Sequence, residues 1–196
     1  MNKGASKAET AVAGLERVER RGRGRPPVET WQPELVREID MRIAADGTWY
    51  YLGTPIARPA MVALFASILR READGRIALV TPVEKCLISV DDAPFAATAM
   101  TVSGSGTGQV LRFETNVGDV VEVDAAHPLR FVFAGDGHRP YVTVYGGLEA
   151  LVARAVTYDI MELCEVSEVD GESWYGVWSG GHLWPVMRAS EVGDAG

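Results

Sequence analysis

Three adjacent aromatic residues, Trp49, Tyr50 and Tyr51, lie between an Asp-Gly turn and a Gly-Thr-Pro turn. Aromatic side chains bury large areas in protein cores and also stack on ligands, so the stretch can fill a core or line a binding site. On a strand, Trp49 and Tyr51 share one face and Tyr50 takes the other. We expect Trp49 and Tyr51 to face a ligand and Tyr50 to enter the core, although the alternation also allows the reverse.

Two arginines flank these aromatic residues, with Arg42 before them and Arg58 after them. A guanidinium group presents several N–H donors in one plane, which suits recognition of a carboxylate or a phosphate. We therefore expect Arg42 and Arg58 to contact an anionic group of the ligand.

A second polar stretch is "ALVTPVEKCLISVDDAPF", residues 78–95, in which charged residues and prolines interrupt two apolar runs. Two strands joined by a bend would explain the prolines by structure alone. A polar bend beside an aromatic strand can equally form the floor of a site. Both interpretations stay open, and Thr81, Glu84 and Lys85 join the candidate ligand-binding residues.

No pattern indicates a catalytic group, a metal site or a cofactor. Asp91 and Asp92 are adjacent, so on a strand they point to opposite faces and do not share a proton. The histidines lack zinc-ligand spacing, and no serine lies in a nucleophile elbow. "SGSGTG", residues 103–108, precedes a strand-like run, whereas a phosphate loop needs a following helix. We predict that the protein is not an enzyme.

Hydropathy and cysteine use predict a cytoplasmic protein. The apolar stretches are shorter than a membrane span, and the N-terminus does not resemble a signal sequence. Cys86 and Cys164 lie far apart and suit buried thiols in a reducing compartment. We therefore expect no membrane partner.

The net charge of −8 is unevenly distributed. Residues 1–30 carry seven basic and four acidic residues, residues 31–96 carry seven and nine, and residues 97–188 carry five and twelve. The acidic half is a poor partner for nucleic acid or anionic lipid. Residues 1–30 end in "RRGRGRPP" and are predicted to be a disordered basic tail. Nucleic-acid contact through Arg20–Arg25 is an alternative role for it.

The elements that position the candidate residues begin with a hairpin around the Asp-Gly turn, with arms at 39–45 and 48–52. "RPAMVALFASILRRE" then predicts a helix whose last turn holds Arg70 and Arg71. From Ile77 onward, short alternating runs predict strands.

A second helix is predicted at about 147–161, followed by closing strands at about 173–178 and 183–187. The order strand, Asp-Gly turn, aromatic strand, glycine, helix occurs at 40–72 and again at 129–161. This repeat suggests a duplicated motif and two related halves.

Four motifs together resemble the DUF1285 family of bacterial proteins of unknown function: D-G-x-W, G-x-P-I-x-R, L-V-T-P-V-E-K and V-D-D-A-P-F. The resemblance covers about residues 35–190 and is strongest over 40–96. It implies a two-domain α+β fold with a repeated structural motif. The C-terminal part would be similar to pleckstrin-homology-like (PH-like) folds, in which one helix closes a curved antiparallel sheet.

The resemblance also implies a binding site at the interface of the two domains, a role in signalling, and a protein or nucleic-acid ligand. We predict domains at 31–96 and 97–190. Our leading hypothesis is a non-enzymatic ligand-binding or regulatory module, whose ligand is a protein, a nucleic acid or a small anion. The alternative is an interaction module that binds a partner polypeptide at an open strand edge. The candidate ligand-binding residues are Arg42, Trp49, Tyr51, Arg58, Thr81, Glu84 and Lys85.

Overall fold

The computed structural model describes residues 25–135 and 137–191, and these residues divide into two units. Unit 1 comprises the described residues up to Ala44 together with Thr48–Asp91. Unit 2 comprises Ala45–Gly47 and the described residues from Asp92 onward. The fold is therefore a two-unit α+β arrangement made mostly of strands.

Unit 1 contains one sheet and one helix, α1 (Pro59–Ser67). Its strands are β1 (Leu35–Ile43), β2 (Trp49–Tyr51), β3 (Thr54–Pro55), β4 (Leu69–Arg71), β5 (Ile77–Val80) and β6 (Glu84–Val90). They form a six-stranded sheet in the order β3-β2-β1-β6-β5-β4. The β1–β6 pair is parallel and the other pairs are antiparallel.

The predicted hairpin around the Asp-Gly turn is confirmed as the β1–β2 pair. Helix α1 begins at Pro59 as expected, because proline suits the first turn. Its predicted C-terminal end is wrong. Ser67 is the last helical residue, and Leu69–Arg71 form β4, which pairs with β5. Burial of Leu69 in the sheet decides against a further helical turn.

Ordered structure starts before residue 31. Val28–Thr30 form a 3₁₀ turn in which Val28 is buried. The Arg70 guanidinium donates hydrogen bonds to the carbonyl oxygens of Val28 and Trp31, at 2.9 and 2.7 Å. The predicted tail therefore extends too far at its C-terminal end. Residues 1–24 of that tail lie outside the described residues.

Unit 2 contains two sheets and one helix, α2 (Arg154–Glu162). The larger sheet has strands β7 (Phe95–Ser103), β8 (Val110–Thr115), β9 (Val120–Glu122), β10 (Leu129–Phe133), β11 (His138–Tyr145) and β12 (Leu148–Val152). Their order is β10-β11-β12-β7-β8-β9, with β12 parallel to β7. The smaller, three-stranded sheet contains β13 (Glu165–Val169), β14 (Glu172–Ser179) and β15 (His182–Arg188).

The predicted helix at 147–161 is wrong over its first part. Leu148–Val152 form a strand whose side chains alternate between buried and half-buried positions. Gly146 and Gly147 both have positive φ, so the chain turns back there and pairs β12 with β11. The helix begins only at Arg154. The two closing strands are confirmed as β14 and β15, while β13 was not predicted.

The predicted repeat is visible in the order of elements. Three strands, a helix and three strands make up unit 1, and the same order recurs from β10 to β15 around α2. The strand pairing of the two copies differs. In unit 1 the first strand, β1, pairs with β6, whereas in unit 2 the parallel pair joins the third strand of the copy, β12, to β7, which lies outside the copy. Three strands follow α2, so the PH-like description of this unit stays a prediction. Neither α1 nor α2 is long enough to span a membrane, and no other described helix is.

Candidate functional site

Trp49 lies in the core of unit 1. Its relative exposure is 1%, and its ring stacks on Phe65 with a centroid distance of 6.1 Å. The register pairs it with Ile43 and pairs Tyr51 with Met41, so both aromatic side chains lie on the core face of the sheet. The structure therefore has the reverse of the expected orientation. A ligand on the outer face would meet Tyr50, not Trp49.

Arg42 lies on that outer face, directly opposite Tyr50. Its guanidinium carbon is 5.7 Å from the Tyr50 ring centroid, and its Nε donates a 2.8 Å hydrogen bond to Asp91 Oδ1. The second Arg42–Asp91 hydrogen bond makes the pair bidentate. An arginine held by a carboxylate in this way has part of its hydrogen-bonding capacity already used.

Arg58 is exposed at the residue before α1. Its carbonyl oxygen accepts hydrogen bonds from Met61 and Val62, which form the first turn of the helix. Among the described residues, its side chain has no hydrogen-bond or ion-pair partner. Arg58 therefore remains available to a ligand of unit 1.

Thr81, Glu84 and Lys85 form and flank the turn between β5 and β6. The Thr81 hydroxyl oxygen accepts a 3.1 Å hydrogen bond from the Glu84 amide, and Thr81 is itself buried. Lys85 Nζ lies 2.6 Å from Glu72 Oε2, and Glu84 lies 3.8 Å from Arg37. These contacts favour the structural interpretation of the bend.

The predicted candidates are thus not brought together within unit 1. Glu84 pairs with Leu35 at the start of β1, whereas Arg42 pairs with Ser89. Ser89 lies five positions after Glu84 on β6, a distance of about 16 Å along the strand. A ligand on Arg42 therefore lies well away from Lys85. The predicted location at a domain interface stays a prediction.

A cleft that the sequence analysis missed lies in unit 2, where α2 follows the larger sheet. Its volume is about 500 Å³, within the range of small-molecule sites. We call it the α2 cleft. It is lined by Gly137, His138, Arg139, Pro140, Leu151, Val152, Arg154, Thr157, Tyr158 and Met161. Apolar side chains and two guanidinium groups thus share one concave surface.

The α2 cleft concentrates positive charge in an acidic part of the chain. Residues 97–188 contain five arginines and no lysine, and two of the five, Arg139 and Arg154, line the cleft. None of the described lining residues is acidic. Asp136, the residue before Gly137, lies outside the described residues.

The other three arginines of this region form ion pairs elsewhere. Each of them contacts a carboxylate on another strand of the same sheet. The pairs are Arg112–Glu122, Arg130–Glu149 and Arg188–Glu172.

Arg154 is the first residue of α2, and its Nε donates a 3.2 Å hydrogen bond to the Tyr158 hydroxyl. The preceding residue, Ala153, has no side-chain acceptor for the amides of the first helical turn. Those amides and the positive end of the helix dipole add to the attraction that the arginines exert on an anion. An anion at this end of the cleft would meet donors from both the side chains and the backbone.

Arg139 is positioned from the sheet side. Its Nη1 lies 3.9 Å from Asp92 Oδ2, and Asp92 also accepts a 2.9 Å hydrogen bond from the Tyr141 hydroxyl. Burial and this hydrogen bond raise the pKa of Tyr141 above its ordinary value, so it remains a donor at neutral pH. The guanidinium of Arg130 covers the ring of Tyr141 at 4.3 Å. Asp92 and Tyr141 therefore act as positioning residues for Arg139.

The cleft escaped sequence analysis because the predicted helix at 147–161 placed Leu151 and Val152 on an apolar helical stripe. That assignment put Arg154 in the middle of a helix instead of at its start. The available signal was compositional. Two arginines, at 139 and 154, flank an apolar run in a half of the chain that has few cations.

Metal-ligand clusters and reactive thiols were also the subject of expectations from the sequence. No group of three or more His, Cys, Asp or Glu side chains among them is arranged to hold a metal ion. Burial raises the pKa of the Cys86 thiol to about 11 and that of Cys164 to about 12. Both thiols therefore remain protonated and are weak nucleophiles at neutral pH. "SGSGTG" forms a turn between β7 and β8 and precedes a strand, as predicted.

Two family models together match most of the chain. The model for the N-terminal domain of DUF1285, a domain of unknown function, matches residues 26–93. The model for the C-terminal domain of the DUF1285 proteins of unknown function matches residues 94–186. A comparison with curated proteins found no match.

Two crystal structures of DUF1285 family proteins are similar to the chain. The protein from Silicibacter pomeroyi DSS-3 is 47% identical with a TM-score of 0.80, and the match covers 91% of this chain and 97% of that one. The protein from Shewanella baltica OS155 is 29% identical with a TM-score of 0.50, and the match covers 62% and 90%. The relatives therefore supply a family and a fold.

Proposed function

The chain belongs to the DUF1285 family, and from that premise we propose that it is a non-enzymatic module whose α2 cleft binds an anionic ligand. The family is described only as one of unknown function, so the proposal depends on the residues of the cleft. A protein that binds a ligand without converting it acts by changing its own conformation or its interactions with partners. We therefore propose a regulatory role in the cytoplasm, as part of a signalling process.

The observation that carries this proposal is the pair Arg139 and Arg154 in one cleft of about 500 Å³. Residues 97–188 carry five basic and twelve acidic residues. Two arginines in one cleft are therefore unusual in this negatively charged part of the chain. A carboxylate or phosphate bound in the cleft would accept charge-assisted hydrogen bonds from guanidinium groups, and Asp92 balances only the charge of Arg139 from the sheet side.

The lining also indicates the rest of the ligand. Leu151, Val152, Pro140 and Met161 offer apolar surface beside the arginines. A ligand with an anionic end and an apolar or aromatic body would fill both parts of the cleft. Hydroxylated sugars or free inorganic ions would leave the apolar part in contact with water.

Binding is favoured over catalysis by the state of the reactive groups. The two thiols remain protonated, and the Thr157 hydroxyl in the cleft donates a 3.2 Å hydrogen bond to the Ala153 carbonyl. His138 contacts the exposed ring of Phe133 edge-on. None of these groups is paired with a base in the way that an activated nucleophile requires.

A thermal-shift screen of small carboxylates, phosphate esters and nucleotides tests the proposal. A ligand at about 100 times its dissociation constant adds roughly 2.7 kcal/mol to the free energy of unfolding. We expect a compound with an anionic and an apolar part to stabilise the protein. The same compound should lose its effect on the Arg154→Gln variant and keep it on Arg112→Gln, which changes an exposed arginine elsewhere in unit 2. Equal loss in both variants would contradict the proposal.

The other functional predictions are separate from the α2 cleft. Nucleic-acid contact through Arg20–Arg25 depends on residues that lie mostly outside the described part of the chain, and it stays a prediction. A partner polypeptide is a second candidate ligand. The three-stranded sheet of unit 2 has a separate cleft, which is lined by Trp174 and by the carboxylates of Asp170 and Glu172. We also propose that unit 2 has a PH-like fold.

A further inference from the structure

The three-stranded sheet of unit 2 carries two tryptophans on its outer face. In β14, Trp174, Gly176 and Trp178 alternate with residues of the opposite face. On that opposite face, Val177 and Ser179 have a relative exposure of 0%, so it is the inner face of the sheet. Trp174 and Trp178 are half-buried and point away from it.

A cleft of about 370 Å³ opens on this outer face, and we call it the tryptophan cleft. Its apolar part consists of the Trp174 ring with Val169, Leu183 and Pro185. Its acidic part consists of Asp170 and Glu172, which lie at the turn between β13 and β14. The cleft is therefore an aromatic surface with carboxylates at one end.

The sheet itself shows which group this surface can hold. The guanidinium carbon of Arg188 lies 5.1 Å from the Trp174 ring centroid, and its Nη1 is 3.2 Å from Glu172 Oε1. A cation here is thus attracted by the ring face and by a carboxylate at the same time. Arg188 pairs with Glu172, whereas Asp170 forms no ion pair with any other described residue.

The three-stranded sheet as a whole is negatively charged, which is complementary to a basic partner. Residues 165–188 contain four acidic residues, Glu165, Glu168, Asp170 and Glu172, and one basic residue, Arg188. A positively charged partner would find an attractive field here, and a partner with anionic groups would be repelled.

We propose that the tryptophan cleft binds an arginine or lysine side chain of a partner polypeptide. The cation lies against the part of the Trp174 indole that lines the cleft and pairs with Asp170. Arg188, which is not a lining residue, keeps its contacts with the ring and with Glu172. The aliphatic stem of that side chain covers Leu183 and Pro185, as long basic side chains commonly cover apolar surface. This partner site is independent of the anion proposed for the α2 cleft, because the two clefts share no lining residue.

Fluorescence anisotropy with a labelled Gly-Arg-Pro-Arg-Gly peptide at low salt tests the proposal. We expect saturable binding that weakens several-fold when the arginines are replaced by citrulline, which keeps the shape of the side chain and removes its charge. Because the interaction is between charges, affinity should also fall as salt is added. Equal binding of the citrulline peptide would overturn the proposal.

Matched variants of the full chain locate the site. Asp170→Asn should weaken binding by about two- to fivefold, the range of one exposed charge pair. Asparagine tolerates the positive φ of 54° at this position, so the turn is expected to form. Glu168→Gln removes one exposed charge on the opposite face of β13 and should leave affinity unchanged.

Trp174→Leu gives an independent measurement, because it removes the ring and leaves the carboxylates. A loss of affinity similar to that of Asp170→Asn is expected from a cation on an exposed ring. If Glu168→Gln weakens binding as much as Asp170→Asn, the attraction is a general field and the cleft is not the site. If free arginine competes as well as the peptide does, the ligand is a small cation and the assignment to a polypeptide is overturned.

Discussion

At the scale of single residues, the direction of Trp49 decides where a ligand of unit 1 could bind. Alternation along β2 predicted which aromatic side chains share a face, and the register confirms that Trp49 and Tyr51 do. Alternation contains no information about which face is buried. That depends on α1, whose Phe65 stacks on Trp49 and is distant in sequence.

Truncating Trp49 should therefore cost stability. We expect Trp49→Ala to lower the free energy of unfolding by about 3–5 kcal/mol, because it leaves a large cavity beside Phe65. Trp49→Phe should cost much less, since Trp49 Nε1 is buried without a hydrogen-bond partner among the described residues. Tyr50→Ala, on the outer face, is the control for loss of aromatic surface. Denaturant unfolding of the three variants measures this, and a stable Trp49→Ala protein would return Trp49 to the candidate site residues.

Glu72 connects two cations that sequence analysis could not assign to each other. Burial raises the pKa of Glu72, but hydrogen bonds from Arg70 and Lys85 outweigh it, and the pKa lies below the ordinary value of 4.5. Arg70 is only two residues from Glu72 in the chain, whereas Lys85 reaches Glu72 because β4, β5 and β6 form one sheet. Lys85, a predicted ligand residue, is therefore part of a structural ion-pair network.

The lowered pKa has a consequence for stability. A carboxylate whose pKa is lower in the folded state stabilises the fold above its unfolded pKa, and this contribution is lost as the pH falls through the folded pKa. We expect Glu72→Gln to destabilise the protein at pH 7, and the difference from the natural sequence should shrink as the pH falls below 4.5. Glu114→Gln, at an exposed position of β8, serves as the control. A difference that is constant with pH would show that the ion pairs do not contribute.

At the scale of elements, the sequence predicted strands and turns better than it predicted helix ends. Short alternating runs bounded by Gly, Asp or Pro became β5 to β11 because alternation is a local signal. The run from Leu148 to Val152 satisfies both a helical stripe and an alternation. Only its pairing with β11 and β7 decides for a strand. This decision also created the α2 cleft, since it placed Arg154 at the start of the helix.

The bulge between β14 and β15 offers a test of the three-stranded sheet. A Cβ atom at Gly176 would lie 2.5 Å from the Trp184 carbonyl oxygen, which belongs to the backbone and cannot move away cheaply. We expect Gly176→Ala to destabilise the protein by about 1–3 kcal/mol, as overpacking commonly does. Gly108→Ala is the matched control, because a Cβ there has nothing within 4 Å. Equal thermal stability of the two variants would contradict the close approach of β14 and β15.

At the scale of the whole molecule, the resemblance to DUF1285 predicted what local patterns could not. The family, the two-part organisation and the α+β class are confirmed, and each depends on motifs spread over the chain. Contacts between distant residues were beyond local reasoning. Ser179 Oγ donates a 2.7 Å hydrogen bond to the Val123 carbonyl and accepts a 2.9 Å hydrogen bond from the Leu111 amide.

These contacts of Ser179 join the two sheets of unit 2. Removing the hydroxyl leaves a buried amide and a buried carbonyl without this partner, which commonly costs about 1–3 kcal/mol. We expect Ser179→Ala to lower the free energy of unfolding by that amount, and Ser173→Ala, at an exposed position of β14, to have little effect. Urea denaturation of both variants measures the difference. If Ser179→Ala is as stable as Ser173→Ala, the hydroxyl does not hold the sheets together.

Isothermal titration of an anionic ligand found by thermal shift tests the central claim most directly. The natural sequence, Arg139→Gln, Arg154→Gln and Arg112→Gln should be titrated at the same salt concentration. We predict that each cleft variant binds about 10- to 100-fold more weakly, the effect of losing one charge-assisted hydrogen-bonding group, and that Arg112→Gln binds normally. Unchanged affinity in both cleft variants would show that the α2 cleft is not the ligand site.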